Sequence, residues 1–220
     1  NVTISGGSVY IRGDDSDDTI SATNIKVNSG NLEISGGNGS EKISVSSITG
    51  NDKVSIYGDY STESTDDGND NIFVTNSSGI KIYSGGGTDT LTFGGSVTAT
   101  IGDFSANDII SLSSAVSAAD FANGVLTFGN VNLNLNGISD ISNYEGVVVV
   151  NGTTRTTLGD LLTPTGWKVS NGVATFGNLI TISGLSTSAT ADDISLNDKT
   201  VTISANALNQ NNTVTITHKN

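Results

Sequence analysis

Five phrases of the chain place an acid two positions before a closing apolar residue, and this recurrence constrains the fold more than any other feature. They are "IRGDDSDDTI" (11–20), "ISGGNGSEKI" (34–43), "IYGD…DGNDNI" (56–72), "IYSGGGTDTL" (82–91) and "IGDFSANDII" (101–110). The acids are Asp18, Glu41, Asp70, Asp89 and Asp108, spaced 23, 29, 19 and 19 residues apart. Setting aside a seven-residue insertion, Tyr60 to Asp66, turns 29 into 22. Between the phrases lie runs such as "IKVNSG", "KVSIYG", "NIFVTN", "GIKIYS" and "TLTFGG", which alternate apolar with polar side chains. That is the period of a strand buried on one face. A unit of about 19 to 23 residues with two strands and two turns makes a solenoid coil, and stacked coils pair like strands in parallel.

Composition fits a narrow core. Only 35% of the 220 residues are hydrophobic and 5% aromatic, too little for a thick globular interior. The Val, Ile and Leu nevertheless fall in regular clusters, unlike a disordered chain. One proline and abundant Thr, Ser, Asn and Gly point to strands joined by turns. The net charge of −13 argues against nucleic acid, which needs clustered Lys and Arg. Residues 1–110 carry 15 acids and 5 bases, against 7 and 4 in residues 111–220, so the carboxylates are concentrated in the repeat half. No apolar stretch reaches the roughly 20 residues of a membrane span, so membrane insertion is not expected.

Glycine and acid have separable roles in the phrases. Glycine supplies tight turns and leaves backbone carbonyls uncovered. Stacked turns then bring carbonyls and carboxylates of adjacent coils within reach of one ion. Hard oxygen donors of this kind suit Ca²⁺ rather than zinc or copper. The alternative is that Asp and Asn serve turn geometry alone.

These phrases resemble the nonapeptide G-G-x-G-x-D-x-U-x of the RTX family of bacterial calcium-binding β-rolls. "GGNGSEKIS" (36–44) matches it with Glu41 in place of the aspartate, and "SGGGTDTLT" (84–92) with Ser84 in place of the first glycine. "GDDSDDTIS" (13–21) keeps the first glycine, Asp18 and Ile20; "DGNDNIF" (67–73) keeps Gly68, Asp70 and Ile72. "IGDFSANDIISLS" is similar to a phrase that closes such rolls, through Ile101, Asp103, Phe104, Asp108, Ile110, Leu112 and Ser113. The likeness covers about residues 8–115. It implies Ca²⁺ held by Asp14, Asp18, Gly37, Gly39, Glu41, Asp67, Gly68, Asp70, Gly86, Gly87, Asp89, Asp103 and Asp108. The opposite turns ("TNSSG", "FGGSV", "VNSGN") lack the aspartate, and only "ITGNDKVS" hints at it through Gly50 and Asp52. One edge alone is therefore expected to hold ions. Coils of 22 or 23 residues also exceed two nonapeptides.

The second half repeats differently. "NGVLTFGNVNLNLNGIS" (123–139) and "NGVATFGNLITISGLS" (171–186) share Asn, Gly, Phe, Gly and Asn at a uniform offset of 48. Asn-Gly before an alternating run predicts a turn followed by a strand. "SSAVSAADFANG" is expected to hold a short helical turn, and "TPTGW" (163–167) to join two repeats. The organisation expected is a roll over 1–115 and β repeats of about 48 residues over 116–220.

Catalytic patterns are sparse. The single histidine, His218, lies three residues from the end of the sequence, a poor place for a hydrolase base. Gly85, Gly86 and Gly87 are followed by no Lys-Ser or Lys-Thr, so they make no phosphate-binding loop. Paired acids could serve a polysaccharide-active enzyme, but the two arginines, Arg12 and Arg155, are far apart in sequence, and Tyr57, Tyr60, Tyr83 and Trp167 suggest no sugar platform. With no cysteine there is no disulfide frame, as in many exported bacterial proteins.

The expectation is thus an all-β chain: a right-handed parallel β-solenoid or β-roll followed by further β repeats. Its opening inside a strand phrase, "NVTISGG", suggests a piece of a larger secreted or cell-surface protein with a structural or adhesive role, not an enzyme. A glycan-binding or polysaccharide-degrading module is the alternative. Expected partners are a host-cell or glycan ligand, neighbouring repeats of the parent chain, and other copies through self-assembly.

Overall fold

The computed structural model describes residues 2–59, 68–162, 168–170, 173–176, 180–183 and 200–203, with side chains through residue 162. The insertion from Tyr60 to Asp66, Asp67, the "TPTGW" joint and His218 lie outside the described residues.

Residues 1–161 form one compact unit and 162–220 another. In the first, β1 (Val2–Arg12), β3 (Ile25–Ser35) and β5 (Thr49–Tyr57) stack in parallel on β6 (Asn71–Tyr83) and β7 (Thr90–Ile101). The shorter β2 (Thr19–Thr23) pairs in parallel with β4 (Lys42–Ser46), and β4 with the first half of β6, whose column continues through β7 to β8 (Ile109–Leu112). The chain therefore winds as a parallel β-solenoid of about four turns.

The register aligns the apolar residues as the spacing of the phrases predicts. One column runs Ile11, Ile34, Ile56, Ile82 and Ile101; facing it runs Ile20, Ile43, Ile72, Leu91 and Ile110. All but Ile11 are buried. Each such side chain removed from water contributes about 1.5–3 kcal/mol, so two files of them stabilise a coil of few residues.

Coils vary in length at one corner. Between paired Lys26/Thr49 and Leu32/Val54, β3 has five residues and β5 has four. Between Ser78 and Ile80, β6 has one, and β7 has none between Thr98 and Ala99. Subtracting five, four and one from the spacings of 23, 22 and 19 leaves 18 residues each time, the length of two nonapeptides. The last coil recovers one residue at Gly95–Ser96, opposite Asn76. The excess over two nonapeptides thus sits in a bulge within β3, β5 and β6. Its left-handed residues are Gly30, Asn51, Asp52 and Gly79.

The solenoid continues past residue 115. β11 (Val131–Leu135) lies parallel to β7, and β12 (Val148–Asn151) parallel to β8, so Leu135 extends one core column and Val149 the other. Antiparallel partners then close this end: β9 (Asp120–Ala122) and β10 (Val125–Phe128) beside β11, and β13 (Thr154–Thr157) beside β12. A two-residue turn at Asn123-Gly124, both left-handed, joins β9 to β10 as the sequence predicts. The helical turn expected in "SSAVSAADFANG" is absent: residues 113–119 are irregular and Asp120 opens β9. Pairing with β10 takes up the backbone groups that a helix would otherwise satisfy. Short helical pieces occur instead at Ser142–Tyr144 and in α1 (Leu158–Leu162), where Leu158 and Leu161 are buried.

In the second unit, β14 (Lys168–Ser170), β15 (Val173–Phe176), β16 (Ile180–Ser183) and β17 (Thr200–Ile203) form an antiparallel sheet in sequence order. β15 lies 48 residues after β10, and each pairs antiparallel with the strand that follows.

Candidate metal centre

The five acidic phrases become one edge of the solenoid. Because Thr19, Lys42, Asn71, Thr90 and Ile109 are in register, the acids just before them stack as a file. Glu41 and Asp89 are 0% exposed, Asp70 1% and Asp108 2%; Asp18, in the first coil, is half-buried. The file faces inward, continuing the core rather than decorating the surface.

Two hydrogen-bond ladders hold it. Along the buried file, a carboxylate accepts from the backbone of the preceding coil: Glu41 N donates to Asp70 Oδ1 at 2.8 Å, and Asp70 N to Asp89 Oδ1 at 2.9 Å. One position earlier and outside, the polarity reverses. Ser40 N donates to Asp17 Oδ1, Asn69 N to Ser40 Oγ and Thr88 N to Asn69 Oδ1.

Glycine makes room at the mouth of each turn. At Gly58, an added Cβ would overlap both Asp70 Oδ2 and the Ser84 carbonyl of the next coil. At Gly85 it would overlap Asp59 Oδ2. The cradle is therefore shaped by absent side chains, and oxygens fill it.

Glu41, Asp59 and Asp70 each present a carboxylate oxygen within 4.8 Å of the others, all three buried. At that separation and an effective dielectric near 20, each pair of like charges costs about 3 kcal/mol. Protonation or a bound cation would relieve it, and the donors are all hard oxygens of the type that Ca²⁺ takes. The residues present fit such an ion.

Further along the file, Asp89 Oδ2 is buried without a donor in hydrogen-bond geometry. Burial pushes the Asp89 carboxyl up to about 7. The Asp70 amide opposes this, the charges of Asp108 and Asp70 add to it, and the Ser84 hydroxyl lowers it least. Burial likewise raises Asp108, against the Ser105 amide and hydroxyl and the Asp89 amide. Asp103 is raised by burial too, although both of its oxygens accept backbone donors, from Ser84 N and Gly85 N, each at 3.0 Å.

The remaining expected ligands are distributed along the same turns. Asp14 is exposed; its amide donates to Asp18 Oδ2, and its carbonyl accepts from Asn38 N. Gly37, Gly39 and Gly87 are left-handed, and Gly68 packs against the Gly39 carbonyl. Gly86 N donates to Asp59 Oδ2 at 3.3 Å.

Asp59 is the residue that sequence reading left out. It follows Gly58 in "IYGD", a place held by glycine in two other turns, and the adjoining insertion hides its alignment. Its analogue in the first phrase is Asp14, one position after Gly13. The structure also joins two aromatics that looked scattered: Tyr57 and Tyr83 stack with centroids 5.0 Å apart.

No family model, curated protein or solved structure matches the chain. The fold itself defines the class, a parallel β-solenoid with a buried acid file along one edge.

Proposed function

We propose that the chain is a structural, adhesive repeat region of a secreted or cell-surface bacterial protein, a β-solenoid stiffened by Ca²⁺. The observation that carries this reading is the convergence of buried Glu41, Asp59 and Asp70 within 4.8 Å, inside a file of stacked acids. The likeness of the phrases to RTX nonapeptides supports it.

Glu41 belongs to one coil, and Asp59 and Asp70 to the next, so they meet only when the coils are stacked. Cation binding is then linked to folding, because the unfolded chain holds no such site. A chain of this design folds where calcium is abundant, outside the cell, and becomes a stiff spacer there. The deciding measurement is metal content per chain by mass spectrometry, after equilibration with calcium and magnesium and removal of free ion. Retention of at least one calcium per chain supports the reading. A folded protein that retains no calcium after that equilibration sinks it.

A further inference from the structure

The outward surface of the same coils carries a second feature, unconnected with the acid edge. A groove of about 270 Å³ lies across β1, β3 and β5 and reaches β6, lined by Tyr10, Asn31, Glu33, Lys53, Ser55 and Lys81. Its origin is visible in the register. Tyr10, Glu33, Ser55 and Lys81 form one outward file, and the small Ser55 leaves a gap between two long side chains. The left-handed bulge at Asn51 and Asp52 raises one wall, and Asp52 joins the lining.

The charges in the groove are unequally engaged. Glu33 Oε1 is bound by Arg12 Nη2 at 2.7 Å, the one ion pair among the described residues. Lys53 and Lys81 thus have no carboxylate partner among those residues, and Asp52 no basic one, which leaves one net positive charge in the groove. Arg12 also lies 4.8 Å above the Tyr10 ring. This contact steadies a tyrosine that is 58% exposed.

We propose that this groove binds an acidic saccharide, with Tyr10 as the platform for a sugar face and Lys53 and Lys81 as partners of its carboxylate. An aromatic body with a polar rim suits a ring that is apolar on its C–H face and hydroxylated at its edge. Asn31, Ser55 and Asp52 supply donors and acceptors for the hydroxyls. The volume lies just below the range of about 300–1,000 Å³ for drug-sized ligands, which limits the site to one or two sugar rings. The chain's net charge of −13 repels anions at long range, so an acidic ligand would be held by these local contacts and not by a general field.

The test is titration calorimetry of the calcium-equilibrated protein with sialyllactose, a hyaluronan tetrasaccharide and lactose. At least one acidic probe is expected to bind, and lactose about tenfold more weakly or not at all. Tyr10→Ala and the double variant Lys53→Ala/Lys81→Ala should each weaken acidic-probe binding about tenfold or more. The double variant Lys26→Ala/Lys42→Ala makes the same charge change on other faces and should stay within about twofold. Failure of both acidic probes, equal binding of lactose, or equal loss in the control double variant overturns the proposal. Circular dichroism of each variant separates loss of binding from loss of fold, and metal content, read separately, keeps this outcome independent of the calcium reading.

Discussion

The two edges of the solenoid solve the same problem by different means. At the edge opposite the acids, the chain turns on one left-handed residue per coil: Asn24, Ser47, Asn76 and Gly95, at successive registers. Asn24 N and Ser47 N donate to backbone carbonyls of the next coil, and no acid takes part. At the acid edge, the same stacking carries four almost fully buried carboxylates in file, with Asp59 beside them. Turning a coil therefore does not require acids in this molecule. Their burial costs free energy unless each charge is matched or a proton is taken up.

The comparison breaks most decisively under chelation. A ligand held at about a thousand times its dissociation constant stabilises the folded state by about 4 kcal/mol, or roughly 8–16 °C for a domain of this size. Chelator should lower the melting temperature by that order, and added calcium should restore it. An unchanged melt would leave the two edges chemically equivalent.

Second in size is the response of metal-stripped protein to pH. The Asp89 carboxyl, normally ionised above about 3.8, is raised in the fold to about 7, and Asp103 and Asp108 are also raised. Below pH 4 both folded and unfolded states hold the proton, and no penalty exists. As pH rises from about 4 to 7, the unfolded chain ionises first, so stability falls, by up to about 4 kcal/mol, and then levels off. Urea midpoints at pH 4.5 and 7.5 measure this. Calcium should abolish the decline, because it favours the ionised form.

Next, Asp89→Asn should change sign with conditions. Without metal, the neutral amide relieves the buried charge and stabilises the fold by about 1–2 kcal/mol. With calcium, loss of a carboxylate beside Asp70 should weaken binding and lower the melt. Equal effects in both conditions would separate Asp89 from any ion site.

The smallest effect belongs to the acid-free edge. Gly95 has φ +67°, and an added Cβ would also meet Asn76 Oδ1. Gly95→Ala should cost about 1 kcal/mol, the same with calcium as with chelator. A calcium-dependent cost would mean that the two edges are coupled.

Much of this contrast is legible in the sequence. The acid phrases could be aligned because each acid is fixed relative to an apolar residue that must enter the core. The left-handed corners were harder: "TNSSG" and "FGGSV" do fall on Asn76 and Gly95, whereas "VNSGN" lies at the bulge of β3. No single residue type marks the bulge, since Gly30, Asn51, Asp52 and Gly79 all tolerate left-handed backbone. Asp59 is hidden because glycine holds its place in two other turns and the insertion that follows obscures its alignment with Asp14. The hairpin of β9 and β10 is readable from its Asn-Gly turn. The parallel docking of β11 and β12 onto the coils was not, because such pairing has no local signature.

The shrinking bulge has a consequence for how this chain can change over generations. Additions and deletions at that corner, from five residues to none, leave the registers on either side intact. A coil can therefore gain or lose sequence without throwing the acids out of step with their neighbours. The bulge acts as an expansion joint: apart from the insertion after Asp59, most of the length difference between these coils is taken up there.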